Sequence, residues 1–107
     1  MKTIYLLVLA LCLGCTIAEA EDRDTRSSAL TSNSVYQKNC AKCHGKTAGG
    51  RHFGGPSLIS EKVSSASIDD LRTIIDNGKG HMPKFAGKLT PADVDGLLMQ
   101  IKAANQK

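Results

Sequence analysis

The five residues Cys40-Ala41-Lys42-Cys43-His44 decide how the rest of this chain has to fold. On a helix, residues three and four positions apart lie on one side, and this is the spacing of Cys43 and His44 from Cys40. The stretch therefore presents two sulfur nucleophiles and one metal-ligating nitrogen together.

The spacing C-x-x-C-H is the pattern for covalent attachment of a c-type haem. Both sulfurs can reach the two vinyl groups of the porphyrin while His44 reaches the iron. A thioredoxin-like redox pair normally lies in a βαβ unit, which the sequence lacks. Half of a zinc site would need two more ligands, which His52 and His81 would have to supply. The motif predicts one haem c, bound through Cys40 and Cys43.

Residues 1–20 carry the pattern of an export signal, with a basic start, an apolar run over residues 4–13 and small residues on either side of Glu19. The apolar run is too short for a stable membrane span. We predict a signal peptide over residues 1–20, cleaved after Ala20, and export to the bacterial periplasm. An alternative stays open, because Leu13-Gly14-Cys15 resembles a lipoprotein processing site that would place a lipid anchor on Cys15.

The composition after the export signal points to a core that side chains alone do not fill. The only aromatic residues there are Tyr36, Phe53 and Phe85, and tryptophan is absent from the chain. A domain of this size is hard to stabilise without a staple or a cofactor, which agrees with a buried haem. The net charge of +4 comes without a long Lys/Arg run, so nucleic acid is a poor partner.

The polar residues 21–31 are rich in serine and threonine, which predicts a flexible leader before a domain over residues 32–107. Within that domain we expect a helix from Ser34 through the attachment stretch, followed by a glycine-rich loop over residues 46–58. Strand-like alternation of apolar and polar residues never extends beyond a few positions. The predicted fold class is therefore all-α, with short helices and long loops.

Two later helices have clear start signals. Ser67 is the predicted N-cap of a helix over residues 68–77, which Gly78 ends. Thr90 and Asp93 form a capping-box pattern for the last helix, with a proline at its first position. One face of that last helix is apolar and consists of Val94, Leu97, Leu98 and Ile101.

Three segments together resemble the class I monohaem cytochromes c. They are Val35-Tyr36 ahead of residues 40–45, Gly55-Pro56-Ser57-Leu58, and the stretch from Asn77 to Phe85. The resemblance implies a cytochrome c fold, in which short helices and long loops wrap one covalently attached haem. It also implies a single-electron carrier without a substrate, and so not an enzyme.

The same resemblance implies roles for individual residues. His44 corresponds to the proximal iron ligand and Met82 to the distal one. Pro56 matches the residue whose carbonyl accepts a hydrogen bond from the proximal histidine, and Leu58 matches an apolar residue on the haem face. A thioether is a soft, neutral ligand that favours ferrous iron, which suits a carrier of high potential. His81, next to Met82, is a second possible iron ligand.

The sequence departs from the family where the first and last helices cross. Many relatives place a glycine against an aromatic residue there, whereas the matching positions here are Ser32 and Gln100. We expect Tyr36 or Met99 to fill part of that gap.

The expected partners are redox protein donors and acceptors with acidic docking surfaces. We expect the processed protein to be a monomer without a transmembrane segment. Lysines near the haem edge would speed such encounters. A different function, a haem enzyme or gas sensor with an open distal site, stays open as an alternative. The lysines that flank the two ligand segments are Lys42, Lys46, Lys79, Lys84 and Lys88.

Overall fold

The computed structural model describes residues 22–106, and this part of the chain is helical without strands. The predicted all-α fold is confirmed. None of these helices is long and apolar enough to cross a membrane. The predicted signal peptide over residues 1–20 lies outside the described residues. In chain order the helices are α1 (Asp22–Thr31), α2 (Ser34–Asn39), α3 (Ala41–His44), α4 (Glu61–Ser65), α5 (Ile68–Asn77) and α6 (Pro91–Ala104).

Helix α1 corrects the prediction of a flexible leader over residues 21–31, because Asp22–Thr31 is helical and packs mainly on α6. Leu30 carries this packing and is fully buried in the core. The Arg26 guanidinium also donates a hydrogen bond of 3.1 Å to the carbonyl of Gln106. The folded unit therefore includes residues that a polar composition assigns to a leader.

The helix expected from Ser34 through the attachment stretch is present, but it is divided at Cys40. This residue ends α2, where its N–H donates to the Tyr36 carbonyl, and it also precedes α3. Gly45 ends α3 with a φ of 90°, a conformation that favours glycine. Two short helices thus meet at the first cysteine of the motif.

Helices α5 and α6 begin at their predicted caps. The Ser67 hydroxyl accepts a hydrogen bond from the N–H of Asp70. Thr90 and Asp93 form both hydrogen bonds of a capping box at the start of α6. Helix α4, whose N-cap is Ser60, was not predicted from the sequence.

Two apolar clusters form the core, and Leu71 and Leu89 pack against both of them. Helices α1, α2, α3 and α6 contribute to the first cluster, while the second lies between α5, the following loop and α6. The first cluster consists of Leu30, Tyr36, Ala41, Ala48, Leu97 and Ile101, and the second of Ile75, Phe85, Val94 and Leu98.

A polar contact involves Gln100 and Asn33, the residue that follows Ser32 in the chain. The Asn33 amide donates a hydrogen bond of 2.7 Å to the side-chain oxygen of Gln100. Tyr36 is fully buried nearby in sequence, whereas Met99 is 70% exposed and fills no gap. The N-cap of α2 is thus joined to α6 by an amide pair, and Tyr36 packs in the first cluster with Leu97 and Ile101.

Candidate haem-attachment site

The three motif residues differ in their access to solvent. Cys43 is exposed, Cys40 is half-buried against the first cluster, and His44 is buried at 9% exposure. Both thiols are free of disulfide bonds. Burial raises the pKa of the Cys40 thiol to about 11, and the neighbouring Cys43 adds to this shift.

The imidazole of His44 has a fixed orientation. Its Nδ1 lies 2.8 Å from the carbonyl oxygen of Pro56. Because a carbonyl only accepts, Nδ1 donates the proton, and in the neutral imidazole Nε2 then keeps its lone pair. Gly55 packs so closely on the ring that an added Cβ would lie 2.8 Å from both Nδ1 and Cε1. The structure therefore brings His44 and Pro56 together and leaves one ring nitrogen able to bind a metal.

The loop over residues 46–58 is tied to the motif by backbone hydrogen bonds. The N–H of Gly50 donates to the His44 carbonyl at 2.7 Å, and the N–H of Gly55 donates to the Cys43 carbonyl at 2.7 Å. These bonds fix the path of the chain around the imidazole. The predicted irregular loop is thus an ordered wall of the site.

Tyr36 braces the motif from the core side. Its hydroxyl donates a hydrogen bond of 2.6 Å to the carbonyl of Gly45, immediately after His44. Burial raises the pKa of Tyr36 to about 12. Sequence reasoning placed Tyr36 at a helix crossing and missed this bracing role, because only the fold brings its hydroxyl to Gly45.

Met82 lies in the loop between α5 and α6 and is half-buried against the second cluster. Its backbone exchanges two hydrogen bonds with Lys79, of 3.0 and 3.2 Å, which close a tight turn. Leu58 packs instead against the first cluster, as does Cys40. The neighbouring His81 is exposed. Met82 and the attachment motif therefore belong to different clusters that Leu71 and Leu89 connect.

These residues fit a covalently attached haem. Two free thiols stand near a buried imidazole whose Nδ1 is hydrogen-bonded to the Pro56 carbonyl, and Gly55 leaves no room for a side chain against that ring. Among residues 22–106, no group of three or more His, Cys, Asp or Glu side chains could hold a metal ion. The zinc alternative thus gains no support from the described part of the chain.

Known proteins identify the family to which these features belong. The family model described as cytochrome c oxidase, cbb3-type, subunit III matches residues 27–98. Cytochrome c-551 of Bacillus subtilis (strain 168) is 37% identical over 82 residues, which cover 73% of this chain and 70% of that protein. The chain belongs to the class I cytochromes c. Covalent haem c at Cys40 and Cys43 and an electron-transfer function follow for this cytochrome.

Two further relatives match this cytochrome over nearly the whole of their own length. Cytochrome c6 of Leptolyngbya boryana is 28% identical over 78 residues, covering 70% of this cytochrome and 91% of the relative. Cytochrome c6 of Pyropia tenera is 31% identical over 78 residues, covering 68% of this cytochrome and 88% of the relative. No solved structure matches this cytochrome at a significant level.

Proposed function

We propose that this cytochrome is a single-electron carrier whose haem iron is held by His44 and Met82. The observation that carries the proposal is the hydrogen bond of 2.8 Å between His44 Nδ1 and the Pro56 carbonyl. A metal-ligating histidine commonly donates its other ring N–H to a fixed acceptor, which sets the tautomer and the ring orientation. Attached haem supplies a one-electron couple at its iron.

The surroundings of Met82 support it as the second ligand. A methionine used only as core filler usually joins an apolar stripe on a helix. Met82 lies instead in a turn closed by its own backbone hydrogen bonds to Lys79, with its side chain packed on the second cluster. Because the rest of that cluster is apolar, it would keep water away from the thioether. His81 is exposed and has no such support.

We further propose that this cytochrome is not an enzyme, because two protein ligands leave the iron no open position for a substrate. Redox proteins would be its donors and acceptors, and acidic docking surfaces on them would complement the flanking lysines. We propose a monomer exported to the bacterial periplasm after cleavage of residues 1–20. The intact mass of the purified protein tests the processing, since a lipid adduct on Cys15 would establish the anchored alternative.

Substitution of Met82 separates the carrier from the haem enzyme or gas sensor. Met82→Ala should open the sixth position, allow carbon monoxide to bind to the ferrous protein, and lower the reduction potential by on the order of 100 mV or more. His81→Ala is the matched control, because it removes a neighbouring possible ligand, and it should leave the low-spin spectrum unchanged.

The opposite pattern would contradict the proposal. Loss of the low-spin state in His81→Ala, with Met82→Ala unaffected, would mean that two histidines hold the iron. Rapid carbon monoxide binding by the unmodified ferrous protein would favour the sensor or enzyme. Both variants are read by visible spectroscopy and voltammetry of the purified haem protein.

A further inference from the structure

The turn over residues 51–54 projects from the loop that walls the attachment site. The N–H of Gly54 donates to the Arg51 carbonyl at 3.0 Å, and the N–H of Arg51 donates to the Gly55 carbonyl at 3.1 Å. The N–H of Gly55 in turn donates a hydrogen bond of 2.7 Å to the Cys43 carbonyl. The turn is therefore held against the residue that carries one of the two thioethers.

Phe53 stands at the third position of this turn and is 99% exposed. Its φ is 62°, in the left-handed region, where a turn of this kind favours glycine at that position. A bulky side chain rarely adopts this backbone conformation. Among residues 22–106, its one aromatic contact is an edge-on approach to His52, with ring centroids 4.2 Å apart, and His52 is also exposed. The contact with His52 thus offsets neither the steric cost of the positive φ nor the exposure of the ring to solvent. Backbone outliers of this kind are often found at functional sites.

Arg51 of this turn and two lysines line one cavity. Lys42, Lys46 and Arg51 line a cavity of about 600 Å³ that has no acidic residue in its wall. Arg51 is anchored by donating a 2.6 Å hydrogen bond to the Lys42 carbonyl. Among the described residues, none of these three side chains has a carboxylate partner. An exposed aromatic ring and an uncompensated positive rim therefore occupy adjoining positions.

We propose that Phe53 is the apolar anchor of a docking surface for a redox protein that presents an apolar cleft bordered by carboxylates. Buried aromatic side chains supply most of the affinity at such interfaces, while charges at the rim steer the encounter. Phe53 enters the cleft, and Lys42, Lys46 and Arg51 meet the carboxylates around it. The inference rests on the proposed function and assigns the surface through which a partner reaches the attachment side.

The test uses the complete haem protein and two electrode surfaces of defined chemistry. One gold electrode carries a mixed monolayer of methyl- and carboxylate-terminated thiols, and the other carries carboxylate-terminated thiols alone. Phe53→Asn removes the ring and substitutes a residue that tolerates a positive φ. Met99→Gln is the matched control, because Met99 is another exposed apolar side chain, on α6. Phe53→Trp tests rescue by a different aromatic ring.

Phe53→Asn should lower the adsorption constant on the mixed monolayer about tenfold, the effect of losing a largely buried aromatic contact. It should bind the carboxylate monolayer as the unmodified protein does, and its midpoint for urea unfolding should not fall. Met99→Gln should match the unmodified protein on both surfaces, and Phe53→Trp should retain adsorption.

Equal adsorption of Phe53→Asn and the unmodified protein on the mixed monolayer would overturn the inference. So would an unfolding midpoint lowered by Phe53→Asn, which would give the ring a structural role. A dimer of the unmodified protein that Phe53→Asn dissociates would assign the surface to a second copy of the chain. Absence of a reversible one-electron wave from the unmodified protein is a separate result, which would contradict the proposed function itself.

Discussion

Gly55→Ala is expected to move the proximal imidazole while adding one methyl group. In the present structure that methyl would lie 2.8 Å from two atoms of the His44 ring, whereas ordinary van der Waals contact begins at 3.4 Å. The Cys43 carbonyl, 3.3 Å from the same point, blocks an easy retreat of the methyl. The ring therefore has to withdraw by about 0.6 Å.

A withdrawal along the bond would stretch the contact between His44 Nδ1 and Pro56 from 2.8 Å to about 3.4 Å. That separation lies beyond the usual range for an N–H···O hydrogen bond. Loss of the bond should destabilise the folded protein by about 1 kcal/mol. It should also make the imidazole a poorer donor to ferric iron, which raises the potential by about 40 mV for each kcal/mol of differential stabilisation.

Voltammetry and urea unfolding of the haem protein measure both effects. Gly96→Ala is the control, because no described atom other than the nearby backbone of α6 lies within 4 Å of the added Cβ. It should increase stability by about 1 kcal/mol through helix propensity and leave the potential unchanged. If Gly55→Ala and Gly96→Ala gave the same potential, the hydrogen bond to Pro56 would not orient an iron ligand.

Two further substitutions test the supports of the site. Tyr36→Phe should cost about 1 kcal/mol at neutral pH, because the Gly45 carbonyl loses one donor. Burial raises the pKa of Tyr36 from 10.0 to about 12, so its stabilising effect is complete below pH 10 and is lost as the pH rises towards 12. Urea unfolding from pH 7 to 11 should therefore show a decline above pH 10 that is smaller in Tyr36→Phe. For the helix crossing, a double-mutant cycle of Asn33→Ala and Gln100→Ala should give a coupling energy of about 0.5–1.5 kcal/mol. A coupling near zero would mean that the amide pair does not hold the helices together.

Local patterns in the sequence predicted most of the fold around the site. The attachment motif, the caps at Ser67 and Thr90 and the glycine-rich loop each depend on residues close together in the chain. Pro56 was assigned from a family resemblance, and the structure places its carbonyl against His44. Such features are readable because their physical causes operate over a few residues.

The features that sequence reasoning missed depend on contacts across the fold. Helix α1 is polar almost throughout, and only burial of Leu30 against distant residues makes it part of the core. The pairing of Asn33 with Gln100 joins residues 67 positions apart. Helix α4 had a local signal in Ser60, but the helix has only five residues. Composition and periodicity carry no information about such distant pairs.

The packing of α1 on α6 sets an order for assembly of the chain. The ribosome makes α1 before every other described helix, yet α1 packs mainly on α6, the last of the described helices. Closing so long a loop has an entropic cost that is offset only after α6 is in place. Helix α1 should thus be the first described helix to leave the ribosome and the last to dock, and its amides should exchange with solvent sooner than those of α6.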